Sequence, residues 1–317
     1  MGLVTATAFQ QSPVIQTRSF VTLATLAVSQ VDDDFVYQIL VAFKNALARA
    51  NESNTAPIIS MLRCMYKIIP AVVGTSRYIS VLFWLAVALL QGSHASFYAE
   101  ASSLLQVTLK TMEKQGMFKN DSVHNVLLEA REPLEEVTSQ LDDMLRLSFE
   151  NSFSFSLAAI IFKGLRHSAL KESAEAALRT LLQVTVAAHD LNGSPSLATD
   201  EILGYFIALL PVSTTPKAFH QLLKESEMEA EIPDSDSDGG YAPRLTAEHL
   251  RIHDRNTALL VTSFVGSILS TAQGDDAEAE ILYGLLSNLS FSYSEIVSMV
   301  CVIIFYTRMA WLIDALL

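Results

Sequence analysis

Three consecutive stretches decide the fold: VDDDFVYQILVAFKNALARA (31–50), TAPIISMLRCMYKIIP (55–70) and SRYISVLFWLAVALLQ (76–91). Each repeats its apolar residues at the helical period. In the first, Val36, Ile39, Leu40, Phe43, Leu47 and Ala50 fall on one stripe. Asp32, Asp33 and Asp34 precede that stripe, where carboxylates cap free N–H groups and favour the positive end of the helix dipole. The functional alternative is a Mg²⁺ or Ca²⁺ site, which needs further oxygen ligands, and no EF-hand spacing follows. In the second stretch Ile58, Leu62, Met65 and Ile69 share a face, with Ser60, Arg63 and Lys67 expected to point away. Pro57 suits the first turn of this helix and Pro70 stops it. In the third, Ser76 can cap and Gly92 can close a helix over Arg77–Gln91 that is apolar nearly all round. A helix without a polar face is expected to be covered on both sides.

The same period continues outward from these three stretches. Helices are predicted over Gln16–Ala27, from Ser96 to Gly116, and over Val123–Glu129, Pro133–Leu147, Ser152–Arg166 and Leu170–Ala188. Phe118–Ser122 reads as a polar loop and Leu191–Ala198 as a Gly/Pro/Ser loop. Two more helices follow, Asp200–Leu210 and Pro216–Glu225, and others open near Thr246, Gly274 and Ser294. No strand-like alternation and no Asn-Gly or Asp-Gly hairpin turn occurs. Paired helices recur about every 40 residues, the spacing of HEAT and armadillo arrays, whose units bury their apolar faces by stacking on neighbours. The expected fold is therefore all-α, an α-solenoid of HEAT/armadillo-like hairpins, with a compact helical bundle as its rival. Residues 1–15 are expected to form a flexible N-terminal segment and 16–226 the helical array. Residues 227–243 are expected to be an acidic mobile loop, and 244–317 further helices of the array.

The acidic segment has a physical basis. Lys224–Asp238 reads KESEMEAEIPDSDSD, four Glu and three Asp against one Lys. It lacks the apolar area to offset its ordering entropy. Ser226 and Ser235 each have an acidic residue three positions on, a pattern resembling acidophilic kinase sites. Phosphate there would add charge to an already negative segment.

Half of the 317 residues are apolar, so core material is plentiful, and the formal charge of −13 argues against a nucleic-acid surface. Cys64 and Cys301 are the only cysteines, which fits a reduced cytoplasmic protein without a disulfide framework. The opening MGLVTATAFQ has no basic n-region, and Ala6 stands where N-myristoylation wants Ser or Thr. The unbroken apolar runs Leu82–Leu90 and Met299–Tyr306 fall short of the roughly 18–20 residues a membrane span needs. Ile296–Leu317 comes closest, but Arg308 and Asp314 interrupt it, and it reads as a core helix. The rival reading is a peripheral membrane anchor. Its apolar end is expected in a chain cut from something longer, or in one whose last segment needs a partner.

No catalytic, cofactor-binding or metal-ligating residue stands out. His249 and His253 would share a helix face and could bind zinc with a third ligand, but HExxH is absent and a solvent-facing pair is expected. His167 and His189 suit helix C-termini. Cys64, inside an apolar helix, reads as a small core residue. No GxSxG elbow, Walker A sequence or GxGxxG after a strand is present.

The order of these stretches resembles the neurofibromin-type Ras GTPase-activating protein family, which includes the fungal Ira proteins. VDDDFVYQILVAFKNAL (31–47), SMLRCMYKIIP (60–70) and SRYISVLFWLAVALLQ (76–91) carry the resemblance. SFSFSLAAIIFKGLRH (152–167) and AEAALRTLLQVT (174–185) extend it over roughly residues 15–190. In that family such sequence lies in a helical-repeat region C-terminal to the catalytic domain, which works by an arginine finger. No arginine here sits in a finger motif, so no catalytic residue carries over. The resemblance implies a non-catalytic scaffold in the cytoplasm, with a peripheral position at membranes as the alternative. Its implied partners are the remainder of a parent polypeptide or a second copy in a dimer, with Ras met only through the parent. The enzyme alternative is that the chain itself activates Ras.

Overall fold

The computed structural model describes residues 7–9, 12–26, 31–50, 55–92, 95–132, 142, 147, 149–150, 152–192, 198–213, 215–227, 255–270, 282–287 and 296–303. Every regular element among the described residues is helical, and their only extended pairing is an isolated parallel bridge between Val31 and Val72. The fold is all-α. In chain order the helices are α1 (Pro13–Leu26), α2 (Asp33–Leu47), α3 (Ala56–Ile68), α4 (Tyr78–Gln91), α5 (Ala95–Lys114), α6 (Val123–Glu129), α7 (Phe153–Leu165), α8 (Lys171–Asn192), α9 (Ala198–Leu209), α10 (Pro216–Glu225) and α11 (Arg255–Leu269). They group into two compact units. One holds Met1–Glu132 with Lys163–Val184, and the other holds Pro133–Phe162 with Thr185–Leu317.

In the first unit, α3 is the central element. It packs against α1, α2 and α5, and α4 packs along α5. The local chemistry that shapes α2 and α3 is that read from the sequence. Asp32 is the N-cap of α2 and its Oδ1 accepts from the Phe35 N–H at 2.9 Å, with Asp33 and Asp34 in the first turn. Pro70 falls in a 3₁₀ turn, Ile69–Ala71, that ends α3. The Val31 N–H then donates to the Ala71 carbonyl at 2.9 Å, tying the start of α2 to the end of α3.

The end of α5 is a Schellman motif. Gly116 adopts φ +72°, its N–H reaches the Glu113 carbonyl at 2.9 Å, and the Met117 N–H reaches Met112 at 3.0 Å. Later helices tie back within the same unit. The Ser102 hydroxyl donates to the Ser173 carbonyl at 2.7 Å, and Lys163 Nζ donates to the Gln91 carbonyl at 2.8 Å at the C-terminus of α4. Burial lowers the Lys163 pKa below the usual lysine range.

In the second unit, α9 is buried along Ile202, Leu203 and Tyr205–Leu209. Gly204 lies directly against the α7 backbone at Ser154 and Phe155. The Phe162 and Phe264 rings meet edge-on at 5.5 Å, joining α7 to α11. Residues 282–287 and 297–303 are helical and contribute Leu282, Leu285, Leu286 and Val300 to the core, joined by Ile296 just before the second stretch.

Several expectations are corrected. The helix α4 is not covered all round: Ile79, Leu82, Phe83, Trp84, Ala86, Val87 and Leu90 are buried, Val81, Leu85 and Leu89 are half-buried, and Ala88 is exposed. The more enclosed helix is α7, where Phe153–Ala158 and Ile160–Phe162 are buried, Ala159, Lys163 and Leu165 are half-buried, and no residue is exposed. Ser60 is buried, because its hydroxyl donates to the Pro57 carbonyl within its own helix at 2.7 Å. Phe118, in the expected polar loop, is a core residue at 2 % exposure. Leu191 and Asn192 continue α8, and Ala198 already opens α9. Nearly all of the expected helix Pro133–Leu147, the acidic loop beyond Glu227, and the helix starts near Thr246, Gly274 and Ser294 lie outside the described residues.

Candidate functional site

The residues with the strongest chemical potential are used up by structure. Cys64 is fully enclosed on α3, and burial pushes its thiol up to about 12. At neutral pH such a thiol is held protonated, and the thiolate is the reactive form. Tyr98 and Tyr205 are likewise driven above the normal phenol range by burial. Trp84 donates its indole N–H to the Leu127 carbonyl at 2.8 Å, and Arg131 stacks over its ring at 4.9 Å, fastening α6 to α4. Arg63 reaches Glu100 with Nε at 2.9 Å and Nη2 at 2.6 Å, bridging α3 and α5 at the surface. An exposed pair of this kind contributes about 1 kcal/mol or less.

The sequence-predicted sites are not brought together. Asp32 serves as a helix cap, and no cluster of three His, Cys, Asp or Glu side chains suited to a metal occurs among the described residues. His189 lies in the last turn of α8, and His167 follows the end of α7. His249, His253 and Ser235 lie outside the described residues. The kinase-site alternative to a plain solvated loop does not fit at Ser226. Ser226 is fully buried as the C-cap of α10, and its hydroxyl donates to the Leu222 carbonyl at 2.9 Å and the Leu223 carbonyl at 3.1 Å. No helix among the described residues is long and apolar enough to cross a membrane, and of Ile296–Leu317 only residues 296–303 are described.

What the surface does offer is a groove in the first unit. It runs between α1 and α2, has a volume of about 660 Å³, and is lined by Phe9, Gln16, Tyr37, Val41, Ala42 and Arg49 among others. Tyr37 is 56 % and Val41 40 % exposed, whereas the exposed Val14, Ile15, Val21 and Leu26 of α1 are not among the groove's lining residues. Scanning for buried stripes misses such a feature, since Tyr37 and Val41 lie off the stripe that defines α2. The signal is four residues' spacing of apolar side chains on the face opposite the core.

No protein-family model matches the chain. Among solved structures, an engineered protein is similar over 95 % of this chain and 80 % of its own, at 12 % identity and a TM-score of 0.26.

Proposed function

We propose that this chain is a non-catalytic helical-repeat scaffold segment of a neurofibromin-like negative regulator of Ras signalling. Its helical hairpins stack as a HEAT/armadillo-like array that supports the assembly of the GTPase activator and offers surface for docking. One observation carries the reading: the three stretches that resemble the family form α2, α3 and α4, consecutive helices of one compact unit. The packing of α3 on α1 and α5, its next-but-one neighbours, supports the stacked arrangement, because repeat arrays bury each hairpin on the next. In this reading the parent's catalytic domain meets Ras, and the segment works in the cytoplasm joined to that parent or to a second copy of itself.

The test is single-turnover hydrolysis of Ras–GTP with and without the purified chain. The expected rate equals the intrinsic one. Acceleration would overturn the scaffold reading and make the chain an activator in its own right. Scaffold function is read separately, by deleting residues 31–91 from the parent and measuring whether it still assembles and lowers Ras–GTP in cells.

A further inference from the structure

We draw no further inference here: the strongest candidate, the groove beside α2 lined by Phe9, Gln16, Tyr37, Val41 and Arg49, is an unpartnered face, and nothing in the structure shows what covers it.

Discussion

The sharpest test of the packing is a pair of glycine substitutions with opposite expected signs. A Cβ on Gly204 would stand 2.5 Å from the Phe155 nitrogen and 2.6 Å from the Ser154 carbonyl oxygen. These are backbone atoms of α7 and cannot rotate aside, so α9 must retreat by about 1 Å to restore ordinary contact. A gap of that size forfeits a quarter to a half of each dispersion contact it opens, and the neighbours Leu203, Tyr205 and Phe206 are all within 1 % exposure. Overpacking of this kind costs about 3 kcal/mol, offset by about 1 kcal/mol of improved helix propensity. Gly204→Ala is therefore expected to lose about 2 kcal/mol. Gly284, in the helical stretch 282–287, has nothing within 4 Å of its would-be Cβ, so Gly284→Ala is expected to gain up to about 1 kcal/mol. With a urea slope of about 2 kcal/mol per molar, the midpoints should move by roughly 1 M down and 0.5 M up. Circular dichroism and tryptophan emission, followed together, would show whether the two units unfold in one step. A Gly204→Ala midpoint at or above that of the parent chain would refute the close approach of α9 to α7.

Other consequences can be checked singly. Removing the cap by Asp32→Ala should destabilise the chain by about 1 kcal/mol, while Asp32→Asn should retain most of that, read by urea midpoints. Ellman's reagent at pH 8 should titrate the exposed Cys301 at once and Cys64 only in denaturant. The Cys64 thiol is about 12 folded against 9.0 unfolded, so its contribution is complete below pH 9 and declines as pH rises toward 12. Alkaline unfolding over that window should shift upward in Cys64→Ala once the cavity cost is referenced to neutral pH. An acidophilic kinase should leave Ser226 unmodified in the folded chain. Ser226→Glu should lower stability by 2 kcal/mol or more, on the order expected for a charge without a buried partner.

The helices were legible because their signals are local. Asp32 before Phe35, Pro70 after Ile69 and Gly116 after Gln115 fix ends by chemistry that acts over three or four residues. The degree of burial was not local. Both α4 and α7 are apolar enough to be enclosed, and the sequence favoured α4, yet α4 keeps Ala88 exposed and α7 does not. Which helix is surrounded depends on Gly204 admitting α9 to the Ser154–Phe155 backbone and on Gly164 admitting the Tyr98 ring, contacts that span tens of residues. The groove was illegible for a related reason: Tyr37 and Val41 look like ordinary surface variation until α1 is placed beside them. The raised pKa values of Tyr98 and Tyr205 follow from packing that the sequence does not display, whereas the apolar helix around Cys64 already marks that thiol as core.

Hydroxyl residues show most clearly why a polar letter misleads in an all-helical core. Ser60, Thr108, Thr180, Ser213 and Thr262 are all buried, and each hydroxyl donates to a carbonyl three or four residues back in the chain at 2.7–3.1 Å. The bond is supplied by the preceding turn, so the side chain needs no polar partner from a neighbouring helix. Its outer surface is then little more than a methyl or methylene, small enough for helices to close over it. Ser154 and Ser156 on α7, and Ser152 just before it, are buried as well: the Ser152 and Ser156 hydroxyls meet at 3.4 Å, and Gly204 approaches the backbone beside Ser154. These serines fall on opposite sides of the helix, and their small size lets neighbours close over α7. For Ser60, Thr108, Thr180, Ser213 and Thr262, back-bonding offsets the desolvation penalty that would otherwise keep a hydroxyl at the surface.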